Sequence, residues 1–162
     1  MAWIVERAVE LRTTGLLVRW QSDLAAYPEP LREKLIEANT RVWHLPHAMA
    51  VRWTYCRRHQ PLALTERLTW DTYNLLRLVF AINRRWEPDW KWLRETTRDL
   101  PLAPTRMAER IERVFTAPML EERVRTDFEL ISDALALAPT SAGIERARAT
   151  IQQCLARSDE GH

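Results

Sequence analysis

Glycine is nearly missing from this 162-residue chain, with three in all, and no stretch alternates apolar and polar residues over β-branched positions. A sheet protein needs both the turns and the alternation, so a β architecture is excluded. There are only two cysteines, Cys56 and Cys154, too few for a disulfide framework or a zinc motif. Each falls on an apolar helical face, where a buried, reduced thiol is expected. No apolar run approaches the roughly 18 residues of a membrane span. The amino terminus, Met1 to Arg7, reaches charge too early for a signal peptide, so a cytoplasmic protein is expected. Lysine is almost absent too: Lys34 and Lys91 stand against 22 arginines. A net charge of +2 excludes strong bulk attraction to nucleic acid or membrane.

What the chain does have is helical periodicity and proline. At this length one domain is expected, burying about two thirds of its unfolded surface. Residues 1–13 read as a short helix, Thr13-Thr14-Gly15 as a turn, and 16–26 as a weakly capped amphipathic helix. Tyr27-Pro28-Glu29-Pro30 breaks the pattern, because each proline biases its predecessor away from the α region. A stripe of Leu31, Leu35, Ala38, Val42 and Leu45 predicts the next helix. Met49, Trp53 and Cys56 predict one from Pro46 to His59. The longest helix is expected over 62–85, with Leu68, Thr72, Leu75, Val79, Ile82 and Trp86 spaced by four and three, widened by Leu76 and Phe80.

Pro88 is then expected to open a helix over 88–99, followed by helices over 104–116, 119–137 and from Ser141 onward, the last with Ile144, Ala147, Ile151 and Leu155 inward. The class predicted is all-α: an antiparallel bundle of about six to eight helices joined by short proline-containing turns. Residues 27–157 form the expected bundle, 1–26 a connector, and 158–162 a frayed tail.

Catalytic signatures are missing. There is no Gly-rich phosphate loop, no nucleophile elbow, no HExxH and no Asp-x-Asp pair. Glu121, Glu122, Asp127, Glu129 and Asp133 alternate with Arg123 and Arg125, which predicts a solvated helix face with i,i+4 pairing rather than a metal site. His44, His47 and His59 sit in or beside a segment, 41 to 58, that holds four arginines and no acid. Arg41 with His47, and Arg52 with His59, have an arginine-to-histidine spacing similar to that of HEPN ribonucleases, in which the pair would bind a phosphate and move a proton. Pro46 and Val42 depart from that pattern.

The densest constellation is Asn83-Arg84-Arg85-Trp86-Glu87-Pro88-Asp89-Trp90-Lys91-Trp92. The indoles can fill a corner between helices, stack on a ligand ring or anchor a partner protein. Asn83 offers a two-way amide, Arg84 and Arg85 guanidinium groups, and Lys91 a point charge for phosphate. The run from Phe80 to Leu93 resembles a motif, apolar-Asn-Arg-x-aromatic-x-Pro-x-x-Lys-Trp, of an uncharacterised helical domain found C-terminal to nucleotidyltransferase-like domains. Tyr27-Pro28-Glu29-Pro30-Leu31-Arg32 is similar to that family's Tyr-Pro-x-x-Leu-Arg turn, and Leu11 to Leu16 to a Leu-x-Asp-Pro-x-Gly segment without its Asp-Pro. Such proteins are laid out like aminoglycoside nucleotidyltransferases, a bacterial-type arrangement.

The resemblance implies a non-catalytic module that forms the substrate or nucleotide side of a cleft through the motif positions Asn83, Arg84, Lys91 and Trp92, beside which Arg85 is a further candidate ligand-binding residue. The family's Gly-Ser and Asp-x-Asp residues are not in this chain. Mg2+ and a nucleoside triphosphate are therefore expected only together with a catalytic partner domain or subunit. A free-standing helical interaction module is the alternative.

Overall fold

The structure, a computed structural model, describes residues 2–9 and 15–157. Among them stand nine α-helices and one 3-10 helix, and no strand: α1 (Ala2–Arg7), α2 (Leu16–Leu24), α3 (Glu29–Arg41), α4 (Pro46–Arg57), α5 (Pro61–Ile82), the 3-10 turn Trp90–Trp92, α6 (Leu93–Arg98), α7 (Met107–Thr116), α8 (Leu120–Leu137) and α9 (Ala142–Ala156). The fold is all-α as expected, with more helices than six to eight because two of the segments are very short. The Thr13-Thr14 turn and the tail after Arg157 lie outside the described residues.

Proline punctuates the bundle as its covalent geometry dictates. Pro30, Pro46 and Pro61 all sit in the first turn of α3, α4 and α5, where a missing N–H leaves no bond unmade. Pro88 behaves differently. It is buried in an extended link, Asp89 keeps the extended backbone (ψ 144°), and helix resumes only with the 3-10 turn. The single helix expected over 88–99 is therefore shorter and begins later.

α5 is the central element. Leu64, Leu68, Leu75, Leu76, Leu78, Val79 and Ile82 are all buried, flanked by α3, α4, α7 and α8, and α9 closes the bundle over α3, α4 and α8. One hydrophobic core runs from Ile36 to Cys154. Both cysteines are free and buried in it, and burial pushes both thiols up, Cys56 to about 12. The stripe expected on α3 is rotated. Ala38 and Leu45 are exposed, whereas Ile36, Asn39, Thr40 and Trp43 face inward. The polar pair reaches the core at little cost because Asn39 Nδ2 donates to the Leu35 carbonyl at 2.6 Å and Thr40 Oγ1 to Ile36 at 2.8 Å.

The acid-and-arginine face of α8 is corrected in one place. Glu122 and Asp133 are solvated as expected, pairing across to Arg113 and Arg110 of α7, but Asp127 is buried. It meets a cluster at the centre of the bundle. Arg52 Nε donates to Asp71 Oδ2 at 2.7 Å and its Nη2 to Oδ1 at 2.8 Å. Trp43 Nε1 donates to the same Oδ1 at 3.1 Å, and Arg52 Nη1 to the Ala48 carbonyl at 2.6 Å. Asp127 approaches Asp71 from α8, and neither of its buried oxygens meets a hydrogen-bond partner among the described residues. Burial pushes both carboxyls upward. Arg52 and Trp43 pull Asp71 back, while the charge of Asp71 drives Asp127 well above the carboxylate range. Of the two carboxyls, Asp127 is the one on which a proton is favoured, since Asp71 has Arg52 and Trp43 to hold its charge.

Two helices end in the same unusual way. After α4, the His59 N–H bonds the Cys56 carbonyl and the Gln60 N–H bonds Tyr55. After α5, Arg84 bonds Ala81 and Arg85 bonds Phe80. Both are Schellman caps whose left-handed residue is ordinarily glycine, yet here it is His59 (φ 49°) and Arg84 (φ 54°). His59→Gly is expected to raise stability by about 1 kcal/mol, read as a higher urea midpoint. His59→Ala, which keeps the Cβ clash, should give no gain.

Candidate ligand cleft

The corner that carries Asn83 to Trp92 is built where α5 stops. Asn83 ends the helix and its amide pins the following loop: Nδ2 donates to the Val79 carbonyl at 2.7 Å and to the Leu102 carbonyl at 2.8 Å, while Oδ1 accepts from the Leu102 N–H at 3.0 Å. The two-way amide read from the sequence is thus engaged within the protein. Arg84, turned outward by its left-handed backbone, pairs with Glu29 at the start of α3. That pair lowers the Glu29 carboxyl, mainly through the hydrogen bond from Arg84.

Arg85 and Lys91 differ from Arg84: neither forms an ion pair with any described residue. Asp89 caps the 3-10 turn by accepting the Lys91 N–H at 3.1 Å, which leaves the ammonium outside, 6.0 Å from the centre of the Trp92 ring. Trp92 is half exposed. Trp86 is anchored by its Nε1, which donates to the Leu24 carbonyl at 3.1 Å, and by the Tyr27 ring at 4.7 Å. So Arg85, Lys91 and Trp92 keep chemically free faces, whereas Asn83 and Arg84 hold the corner's shape.

Sequence reasoning missed the opposite wall. Trp3 of α1 lies 6.2 Å from Trp92, ring centre to ring centre, and Arg7 stands over the Trp3 ring at 5.3 Å. Between α1, the end of α5 and α6 is a polar cleft of about 180 Å³ lined by Trp3, Glu6, Arg7, Arg85, Glu95 and Asp99. A second, of about 260 Å³, opens on the other side of Trp3 toward Tyr27, Leu35, Arg77 and Glu87. Trp3, Phe80, Arg85 and Trp86 line both. Burial raises the Glu87 carboxyl, and Arg77, whose Nε donates to it at 3.2 Å, pulls it partly back. Burial likewise raises the Tyr27 phenol. The only sequence signal for Trp3 was an aromatic near the start of an amphipathic stretch, and nothing in that stretch indicates which distant ring it meets.

The arginine–histidine pairs do not form a comparable site. Arg52 is sealed in the core with Asp71, while His59 is an exposed helix cap. Arg41 and His47 are both exposed, on either side of the turn at 42–45, and burial lowers the imidazole of His44 between them. Among the described residues no group of three or more His, Cys, Asp or Glu is placed to hold a metal ion, and no helix is long and apolar enough to cross a membrane.

Fold and cleft together define an all-α domain with an aromatic and cationic corner at one end of its central helix. The chain belongs to the DUF4037 family, a domain of unknown function, whose model matches residues 2–93. All five corner residues named from the sequence, and Trp3 opposite them, fall within that match. No curated protein and no solved structure matches the chain.

Proposed function

We propose that this domain is the substrate- or nucleotide-side helical module of a bacterial-type, nucleotidyltransferase-like protein of the cytoplasm, non-catalytic by itself. The observation that carries this reading is the pairing of two cations that form no ion pair with any described residue, Arg85 and Lys91, with the exposed indole of Trp92 at one corner. Guanidinium and ammonium suit phosphate oxygens, and indole faces suit a base or sugar ring. Arg84 joins them readily, since its ion pair with Glu29 is exposed and screened by solvent. The motif shared with helical domains that follow nucleotidyltransferase-like domains supports the same assignment. Among the described residues the donor set does not fit Mg2+, because no group of carboxylates is placed to hold the ion. The ion and the triphosphate's reactive end therefore belong to a catalytic partner.

Titration calorimetry with Mg-ATP tests the reading. Arg85→Ala is expected to weaken binding about tenfold and Lys91→Ala about threefold, in line with losing one charge-assisted contact each. Identical isotherms for wild type and both variants would remove the ligand role.

A second reading, a protein-interaction module, is favoured by the exposed apolar side chains of Leu62 and Trp70 on α5 and Leu16 and Trp20 on α2. It predicts a complex on size exclusion with a nucleotidyltransferase-like catalytic domain that is weakened by Trp70→Glu.

A further inference from the structure

α5 is the centre of the bundle, yet its first three turns are bare on one side. Leu62 is 85% exposed and Trp70 52%. With Glu66 and Tyr73 they recur by four, four and three, which makes one stripe along the outer side, opposite the buried Leu64, Leu68 and Leu75. An open groove of about 1090 Å³ runs along this stripe and is lined by α5 alone. The bare side ends at Tyr73, because one turn further on Arg77 pairs with Glu87, and beyond it Phe80 lines the cleft beside Trp3. Contiguous exposed apolar surface of this kind marks an interaction site.

The charges of the groove indicate what covers it. Glu66 and Arg67 are the charged residues that line it, so it is neutral overall. They meet each other at 3.6 Å, as neighbours in sequence, and both remain largely in water. Arg67 Nε, by contrast, is buried and has no hydrogen-bond partner. A neutral surface with one charge of each sign side by side is complementary to its own copy, provided that the copy runs the opposite way. A two-fold axis between Glu66 and Arg67 sets Glu66 of one copy beside Arg67 of the other, twice over, and brings each Trp70 to Leu62 and Ala63 opposite. Parallel pairing would set Glu66 against Glu66.

We infer that two copies of this chain pair antiparallel through the outer side of α5, from Leu62 to Tyr73. The inference rests on the interaction reading of α5 and names a second copy as the partner. The ligand corner, at the other end of the helix, takes no part. At a rise of about 1.5 Å per residue the bare strip is about 18 Å long and one helix wide. Two such strips fall short of the about 1,200 Å² at which standard interfaces begin, so the dimer is weak, with a Kd of about 10–100 µM.

Sedimentation velocity of the full chain, from about 5 to about 500 µM, tests the pairing. Wild type is expected to pass from monomer to dimer across that range. A chain that stays monomeric throughout would overturn the pairing. If that monomer still bound a nucleotidyltransferase-like catalytic domain through Trp70, the interaction reading would stand with the catalytic domain as its partner. Trp70→Glu is expected to weaken the dimer at least about tenfold. A dimer untouched by it would lie on another face and overturn the proposal. Glu66→Arg and Arg67→Glu each set like charges together, twice by symmetry, and each is expected to weaken the dimer at least about tenfold. Mixed in equal amounts, these two variants should recover a dimer between unlike copies, because one then offers two cations where the other offers two carboxylates. A folding defect in either variant would not give that rescue, and its absence would overturn the antiparallel pairing.

Discussion

Arg52→Met is expected to destabilise the domain by about 3–5 kcal/mol at pH 7, measured by urea denaturation. Arg52 is the one fully buried cation among the described residues, and Asp71, at 0% exposure, takes two of its N–H groups. Methionine fills similar volume, so the loss would come from the unpaired carboxylate rather than from a cavity. Trp43 would be left as the main neutral donor to an ion out of water. Asp71 would answer by taking up a proton, so the deficit should shrink as the pH falls toward 4. A deficit independent of pH would mean that packing, not charge, had been lost. The double variant Arg52→Met with Asp71→Leu should recover most of the stability, because an apolar replacement for both partners removes the desolvation cost along with the attraction.

Asp127→Asn is expected to stabilise the domain, and increasingly so as the pH rises. In the folded chain the Asp127 carboxyl is held well above its ordinary range by burial and by the neighbouring charge of Asp71. In the unfolded chain it ionises near pH 4. Below that value both states carry the proton and the group contributes equally to each. Above it the unfolded state gains by releasing a proton that the folded state keeps, so wild-type stability falls with pH until the folded group also ionises. The slope is about 1.4 kcal/mol per pH unit for one proton. Asparagine has the same shape, offers an N–H beside Asp71 and has nothing to titrate. The two proteins should have similar urea midpoints near pH 4 and diverge through pH 7. Parallel curves across that range would show that Asp127 is ionised in the fold.

Most of the architecture was legible because α5, α8 and α9 bury aliphatic side chains at helical spacing, and that pattern survives any ambiguity at their ends. The failures share a cause. On α3 the inward face is made of Asn39, Thr40 and Trp43 as well as Ile36, and polar residues that satisfy themselves against the preceding turn are invisible to a count of apolar positions. The buried charges were missed for a related reason, although a signal was present. Asp71 falls three after Leu68 and four before Leu75, and Asp127 three after Val124 and four before Ile131. Each acid sits in register with a core stripe, the position at which a carboxyl must be paired or protonated. Which partner meets it depends on packing between segments 19 or more positions apart, and no local pattern encodes that. At the ligand corner, residue types were legible and their engagement was not. Asn83 looks available until the loop at Leu102 is folded back onto it.

The sealing of the Arg52–Asp71 pair by Asp127 of α8 bears on how the chain becomes folded as it is made. The family segment, residues 2–93, contains the ion pair, Trp43 and Trp53, but the helices that cover them, α8 and α9, lie wholly beyond it. Trp53 finds its acceptor only in the Cys154 carbonyl, at 2.9 Å and 101 positions away. A nascent chain emerging from the ribosome therefore holds its central helix with one flank wet until α8 and α9 have been translated. Residues 2–93 are therefore not expected to fold on their own. A 2–93 fragment is expected to remain a loose helical ensemble with fast amide exchange throughout, and to become ordered when 104–157 is supplied as a separate peptide.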